Sequence, residues 1–188
     1  MRLRAQWYGI DFMKVAGSSS RALFKSDGKT IEDFYSWDQM VLAPTIGKVE
    51  IVVDGLPDNP IGIQDRQNVC GNYVVVRTEN GKFIFIAHLQ NRSVEVKPGN
   101  YIEIGDPVGR CGNSGNSGAP HIHLHAQDTP NFNKGSGQNM IFRSINVELT
   151  GKIFEKVDWP LIRGLFVWNR NDEIEKEESS FPAPDLAD

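Results

Sequence analysis

Apolar residues in this chain recur at every second position over short stretches, broken by Gly, Pro and Asn. Such alternation predicts half-buried strands, and the frequent turn formers predict many short strands over long helices. YGIDFM, Tyr8 to Met13, reads as a first strand with Asp11 between apolar neighbours. Thr30 to Tyr35 reads as a short helix or turn, with Thr30 as N-cap and Asp33 three residues on as a weak capping box. VLAPTIGKVEIVVDG, Val41 to Gly55, is β-rich, with Gly47 marking a turn or bulge. GNYVVVRTENGKFIFIAHL reads as a hairpin turning at Asn80-Gly81, and its second strand delivers His88. SVEVKPGNYIEIGDPVG reads as another hairpin-like unit. Short β pieces recur in MIFRSINVEL and KIFEKVDW.

The stretch that organises the chain is GDPVGRCGNSGNSGAPHIHLHAQD, Gly105 to Asp128. Histidine stands at every second position: His121, His123, His125. On a strand these three imidazoles share one face, and Ile122, Leu124 and Ala126 share the other. Three polar rings side by side each need a partner. Structural, hydrogen-bonded histidines are one reading. Neutral imidazole is also the commonest metal ligand and an acid or base near neutral pH, so a metal or catalytic site is the favoured reading. The chain has 4 histidines, and the fourth is His88.

The net charge of -4 belongs to the end of the chain. Asn169 to Asp188 holds seven acidic and two basic residues, so the remainder stands at +1. The predicted organisation is one β domain over 1–168 and an acidic, disordered tail over 169–188. No basic run interleaved with aromatics suggests a nucleic-acid surface. No segment has the length of apolar residues a transmembrane helix needs. The chain opens almost directly on structured-looking sequence with no secretion signal, which suggests an internal start. Two cysteines, Cys70 and Cys111, could pair or sit as small buried apolar groups.

GIDF, VLAPTIGKV, GNYVVV, NGKFIFIAHL and SVEVKPGNYIEIGDPVGRCGNSGNSGAPHIH together resemble the lysostaphin-type, LytM-like zinc metallopeptidases, many of which cut peptide cross-links in peptidoglycan. The resemblance implies a mainly β fold, a largely antiparallel β-sandwich of the duplicated hybrid motif type. It implies Zn2+, with Asp11 and His123 as ligands and His88 and His121 as catalytic histidines. It also implies a peptidoglycan or other peptide substrate and a periplasmic or extracellular setting. The sequence departs from the family at Trp7, four residues before Asp11, where a zinc-binding His is usual. Three repairs stand open: His125 as a further ligand, His121 turning to bind metal, or a ligand from upstream. Two functions compete on this basis, a zinc endopeptidase and a degenerate relative that binds cell-wall peptides or a partner enzyme. A phosphocarrier using His88 or His121 is a weaker third.

Overall fold

A computed structural model describes residues 8–17, 21–149, 152–160 and 166–168. Trp7 and the acidic tail lie outside the described residues. The chain falls into two compact units, one formed by residues 1–141 with 160–163 and the other by 142–159 with 164–188.

The first unit is built on a seven-stranded antiparallel sheet. Its strands are β1 (Ile10–Phe12), β3 (Gly47–Val53), β4 (Asn72–Arg77), β5 (Phe83–Leu89), β6 (Tyr101–Ile102), β8 (Ile122–Gln127) and β9 (Gly137–Gln138). They run in the order β1-β8-β5-β4-β3-β6, with β9 also on β8. A two-stranded ribbon pairs β2 (Met40–Leu42) with β7 (Pro107–Arg110). The second unit is a three-stranded antiparallel sheet in which β10 (Phe142–Leu149) lies between β11 (Lys152–Trp159) and β12 (Phe166–Trp168). The fold is thus mainly antiparallel β, as the sequence led us to expect. A single turn of 3-10 helix, Ile31–Asp33, is the only helix among the described residues.

The two continuous apolar runs become the central strands. Val74, Val75 and Val76 on β4 are fully buried, as are Phe85, Ile86 and Ala87 on β5, so both faces of these strands are covered. Gly81, at φ 80, makes the predicted hairpin turn between them.

Two local expectations are corrected. Thr30 makes no side-chain cap hydrogen bond. Asp33 turns instead to the preceding loop, where its carboxylate accepts from the Ser26 amide and hydroxyl. The stretch 93–109 is not a simple hairpin: β6 pairs with β3 and β7 with β2, while the Glu95 amide donates to the Val108 carbonyl at 2.9 Å. The turn at Gly105 (φ 93) sends the two strands to different partners.

Candidate active site

The histidine strand β8 lies between β1 and β5, and their registers decide what meets what. Asp11 is directly opposite His123 on one side, and Ala87 is opposite it on the other. Directly opposed residues of an antiparallel pair share a face. One row across the sheet therefore reads Asp11, His123, Ala87. The small side chain of Ala87 leaves space beside His123. A cavity of about 210 Å³ opens there, lined by Asp11, Val69, Cys70, Ala87, His88, Asn116, His121 and His123.

His88 reaches the cavity through a defect in its strand. Plain alternation would send it to the face of Ile84 and Ile86. The pairing of β4 with β5 skips it, since Asn72 opposes Leu89 and Tyr73 opposes Ala87. His88 is the extra residue of a β-bulge and sits at φ 66. Bulges re-aim side chains next to functional sites, and a non-glycine residue held at such a φ is strained. The result is a His88 ring 4.7 Å from the His121 ring and 6.0 Å from the His123 ring, centre to centre.

The Gly/Asn/Ser loop 112–118 holds these rings from behind. Gly115 (φ 77) packs on Gly71 (φ 61) so closely that an added Cβ on Gly115 would lie 2.3 Å from the Gly71 amide nitrogen. This contact seats Ser114 beneath the site. The Ser114 hydroxyl donates to the Leu89 carbonyl at 2.7 Å and accepts from the Asn72 amide at 2.9 Å. The Ser114 carbonyl accepts from His88 Nδ1 at 2.8 Å. The Ala119 carbonyl likewise accepts from His121 Nδ1 at 2.8 Å. A carbonyl can only accept, so in both rings Nδ1 carries the hydrogen. The Nε2 atoms of the neutral rings are then lone pairs.

The electrostatics follow from depth and from charge. Burial, aided by the neighbouring His121, pushes His88 down to about 3, so it is neutral near pH 7. Asp11 is held below the usual carboxylate range, chiefly by its hydrogen bond with His123, partly opposed by burial. Its Oδ1 lies 2.7 Å from His123 Nδ1 and 3.6 Å from His121 Nε2.

The structure thus brings Asp11, His88, His121 and His123 around one cavity. His125 is elsewhere. It is fully buried and stacks on Phe85 at 4.6 Å, with Phe132 meeting it edge-on at 6.0 Å. Its Nδ1 faces His123 Nε2 at 3.1 Å. Asp11 is on the Nδ1 side of the His123 ring and His125 on the Nε2 side. The two ring nitrogens diverge, so His125 is not brought to the carboxylate. Cys70, Asn116 and Val69 line the cavity without having been assigned to it from the sequence; Asn116 carried one signal, its place in the Gly/Asn/Ser loop before the histidines. Both cysteines are buried free thiols, so the pairing left open by the sequence is not made.

A zinc ion is the group this arrangement has to be tested against. Among the described residues, no three His, Cys, Asp or Glu side chains form a metal-ligand group. The donors nevertheless fit zinc in kind, being one carboxylate and imidazole nitrogens. Whenever His121 is neutral, its Nε2 lone pair stands 3.6 Å from a carboxylate oxygen. Two acceptors side by side repel, and a cation between them reverses the sign.

The model of Peptidase family M23 matches residues 27–134, more than half of the sequence, and the chain belongs to that family. The match contains His88, His121, His123 and His125 and begins after Asp11. Lysostaphin from Staphylococcus simulans is 20% identical, with 69% of this chain and 41% of that one covered at a TM-score of 0.42. The prophage-encoded M23 protein EnpA from Enterococcus faecalis, solved as its catalytic domain, is 17% identical, with 70% and 88% covered at 0.42. A zinc-containing peptidase from Vibrio cholerae is 21% identical, with 53% and 26% covered at 0.38. The chain thus spans less than half of the lysostaphin it matches. No helix among the described residues is long and apolar enough to cross a membrane.

Proposed function

We propose that this chain is a zinc-dependent endopeptidase that hydrolyses peptide bonds in peptidoglycan cross-links or in similar peptides. The observation that carries the reading is the lone-pair arrangement: His88 and His121 both keep Nδ1–H on a backbone carbonyl and turn Nε2 away from it, around a cavity that also holds Asp11 and His123.

In this reading Asp11 and His123 would hold the zinc, and His121 stays free for catalysis. When bound, zinc supplies a Lewis acid that works at neutral pH. His88, neutral because it is buried, accepts a hydrogen bond from the attacking water and orients it. His121 accepts the water's proton at Nε2, and the Asp11 carboxylate 3.6 Å away balances the charge that forms. Asn116 is exposed on the cavity rim. Its amide is a donor for the carbonyl oxygen of the substrate as charge builds there. A cell-wall substrate sets this work outside the cytoplasm, in a periplasmic or extracellular space.

A second reading is favoured by Trp7, which stands where the family usually has a zinc-binding His. On that reading the chain grips cell-wall peptides or a partner enzyme without cutting. One experiment separates the two. Purified chain is incubated with peptidoglycan and with glycine-rich peptides, with added zinc or with a chelator, and new amino termini are counted. The peptidase reading expects zinc-dependent release that the chelator abolishes. No release with zinc present, combined with peptidoglycan retention that survives His123→Ala, would establish the binder instead.

A further inference from the structure

Behind the cavity, the histidine face of β8 continues inward to Gln127. Gln127 is fully buried. Its Nε2 donates to the Thr129 carbonyl at 2.5 Å and to the Asn131 carbonyl at 3.0 Å. Only an NH2 group can serve two carbonyls, so the amide cannot be flipped and its Oε1 is the acceptor that remains. Among the described residues, two buried side-chain polar atoms lack a partner at full hydrogen-bond geometry: Gln127 Oε1 and His125 Nε2. They belong to residues two apart on one strand face, and the Gln127 side chain lies near enough to the His125 ring to favour a hydrogen on it.

With both rings neutral, two assignments are open to this row. If His125 carries its hydrogen on Nδ1, it donates to His123 Nε2. His123 then donates from Nδ1 to Asp11. That satisfies the outer end and leaves His125 Nε2 and Gln127 Oε1 as two buried acceptors side by side with no donor between them. If His125 carries its hydrogen on Nε2, it donates to Gln127. Its Nδ1 then accepts from His123 Nε2–H across 3.1 Å. The unpaired acceptors disappear from the interior, where they cost most. The tension moves to the surface end: His123 Nδ1 then has no hydrogen to give the Asp11 oxygen 2.7 Å away, so the 60% exposed Asp11 side chain turns to water until a cation sits between the two acceptors.

We propose that Gln127 and His125 are positioning residues that hold His123 as the Nε2–H tautomer, so that its Nδ1 lone pair is offered, beside the Asp11 carboxylate, to a cation in the cavity. This rests on the zinc reading for its purpose and on buried hydrogen bonds alone for its content. His125 serves the site through the next imidazole rather than as a ligand. Outer partners that fix the tautomer of a ligating histidine commonly alter metal affinity 10–100-fold.

The test begins with the unaltered, metal-free chain at pH 7.5. Nitrogen-15 NMR of the imidazoles reads which nitrogen carries hydrogen in His125. The expected result is Nε2–H; Nδ1–H overturns the proposal. Zinc affinity, measured by competition with a chromogenic chelator, is then compared across two variants. His125→Phe keeps the stack on Phe85 and offers His123 no acceptor, so it is expected to bind zinc about 10–100-fold more weakly. His125→Glu supplies an acceptor for His123 Nε2–H without Gln127 and is expected to bind within about threefold of the unaltered chain. Equal affinity in all three would also overturn the proposal. The two readings fail separately. A chain with His125 as Nε2–H that neither binds zinc nor cleaves peptide keeps this inference and loses the peptidase. A zinc enzyme with His125 as Nδ1–H does the reverse.

Discussion

Acid should destabilise this protein through two histidines that it keeps neutral. Burial pushes His88 down to about 3, and burial with the neighbouring His123 pushes His125 down to about 4, from an ordinary value of 6.5. Well above pH 6.5 both rings are neutral in the folded and the unfolded chain, and neither contributes a pH dependence. Below 6.5 the unfolded chain binds two protons that the folded chain refuses. Stability therefore falls as pH falls, and the loss levels off once the folded values are passed. Each unit of pH in that window is worth about 1.4 kcal/mol per group. From pH 6.5, where the unfolded rings are already half protonated, to pH 5 the two rings together cost about 3 kcal/mol, a large share of the roughly 5–15 kcal/mol that holds a domain folded. Asp58 works the other way, since burial raises its carboxyl, but it is common to every variant compared. The assay is urea unfolding of the chelator-treated chain, followed by tryptophan fluorescence, at pH 7.5, 6.5, 5.5 and 5. His125→Phe removes one of the two titrations and should lose about 1.5 kcal/mol between pH 6.5 and 5 where the unaltered chain loses about 3. Parallel curves for the two proteins would refute the reasoning, as would a flat curve for the unaltered chain.

Other outcomes follow from the same geometry. Gly71→Ala puts a Cβ 2.4 Å from the Ser114 hydroxyl oxygen at a φ of 61, so it should cost about 3 kcal/mol or more and lower peptide cleavage with it. Urea melts and a cleavage assay on the surviving folded fraction check both. His88→Gly should be more stable than His88→Ala by about 1 kcal/mol, because only glycine is at ease at φ 66, while both lose cleavage. Equal stability of the pair would mean that the bulge is not strained. Cys70 and Cys111 are buried, and burial pushes both thiols up to about 12. A thiol reagent should therefore find none in the native chain at pH 8 and two after unfolding without reductant; no thiol after unfolding would mean that they pair.

Much of the framework was legible because it rests on local rules. The alternation of His121, His123 and His125 placed three rings on one side of β8, and the unbroken apolar runs of 74–76 and 83–87 became the doubly covered middle of the sheet. The facing of Asp11 and His123 followed from family resemblance and is made in the structure by strand register, which no window of sequence displays. His88 was named, but its route to the cavity was not readable. Period-two logic puts it on the wrong face, and the bulge that corrects this depends on Ser114 and Gly112, more than twenty residues away. The Gly112 amide donates to the His88 carbonyl at 3.0 Å, as Ser114 holds the ring. The sequence also could not separate His123 from His125. They share a face and differ in depth, because Phe85 and Phe132 close over the second ring and leave the first at the cavity. Gln127 lies on the same alternating face, so the period marked it; only its two carbonyl partners, set by the following loop, give it a role. Residues 93–97 form no strand ladder and meet β7 through the Glu95 amide on the Val108 carbonyl, a long-range contact that no local pattern displays.

The central claim is that Asp11 and His123 hold one cation between them. Equilibrium dialysis of the metal-free chain against zinc at pH 7.5, repeated with Asp11→Asn and with His123→Gln, tests it most directly. The account predicts one zinc per unaltered chain and at least tenfold weaker binding in each variant, in line with the loss of a ligand. No zinc on the unaltered chain, or binding that neither substitution weakens, would contradict it.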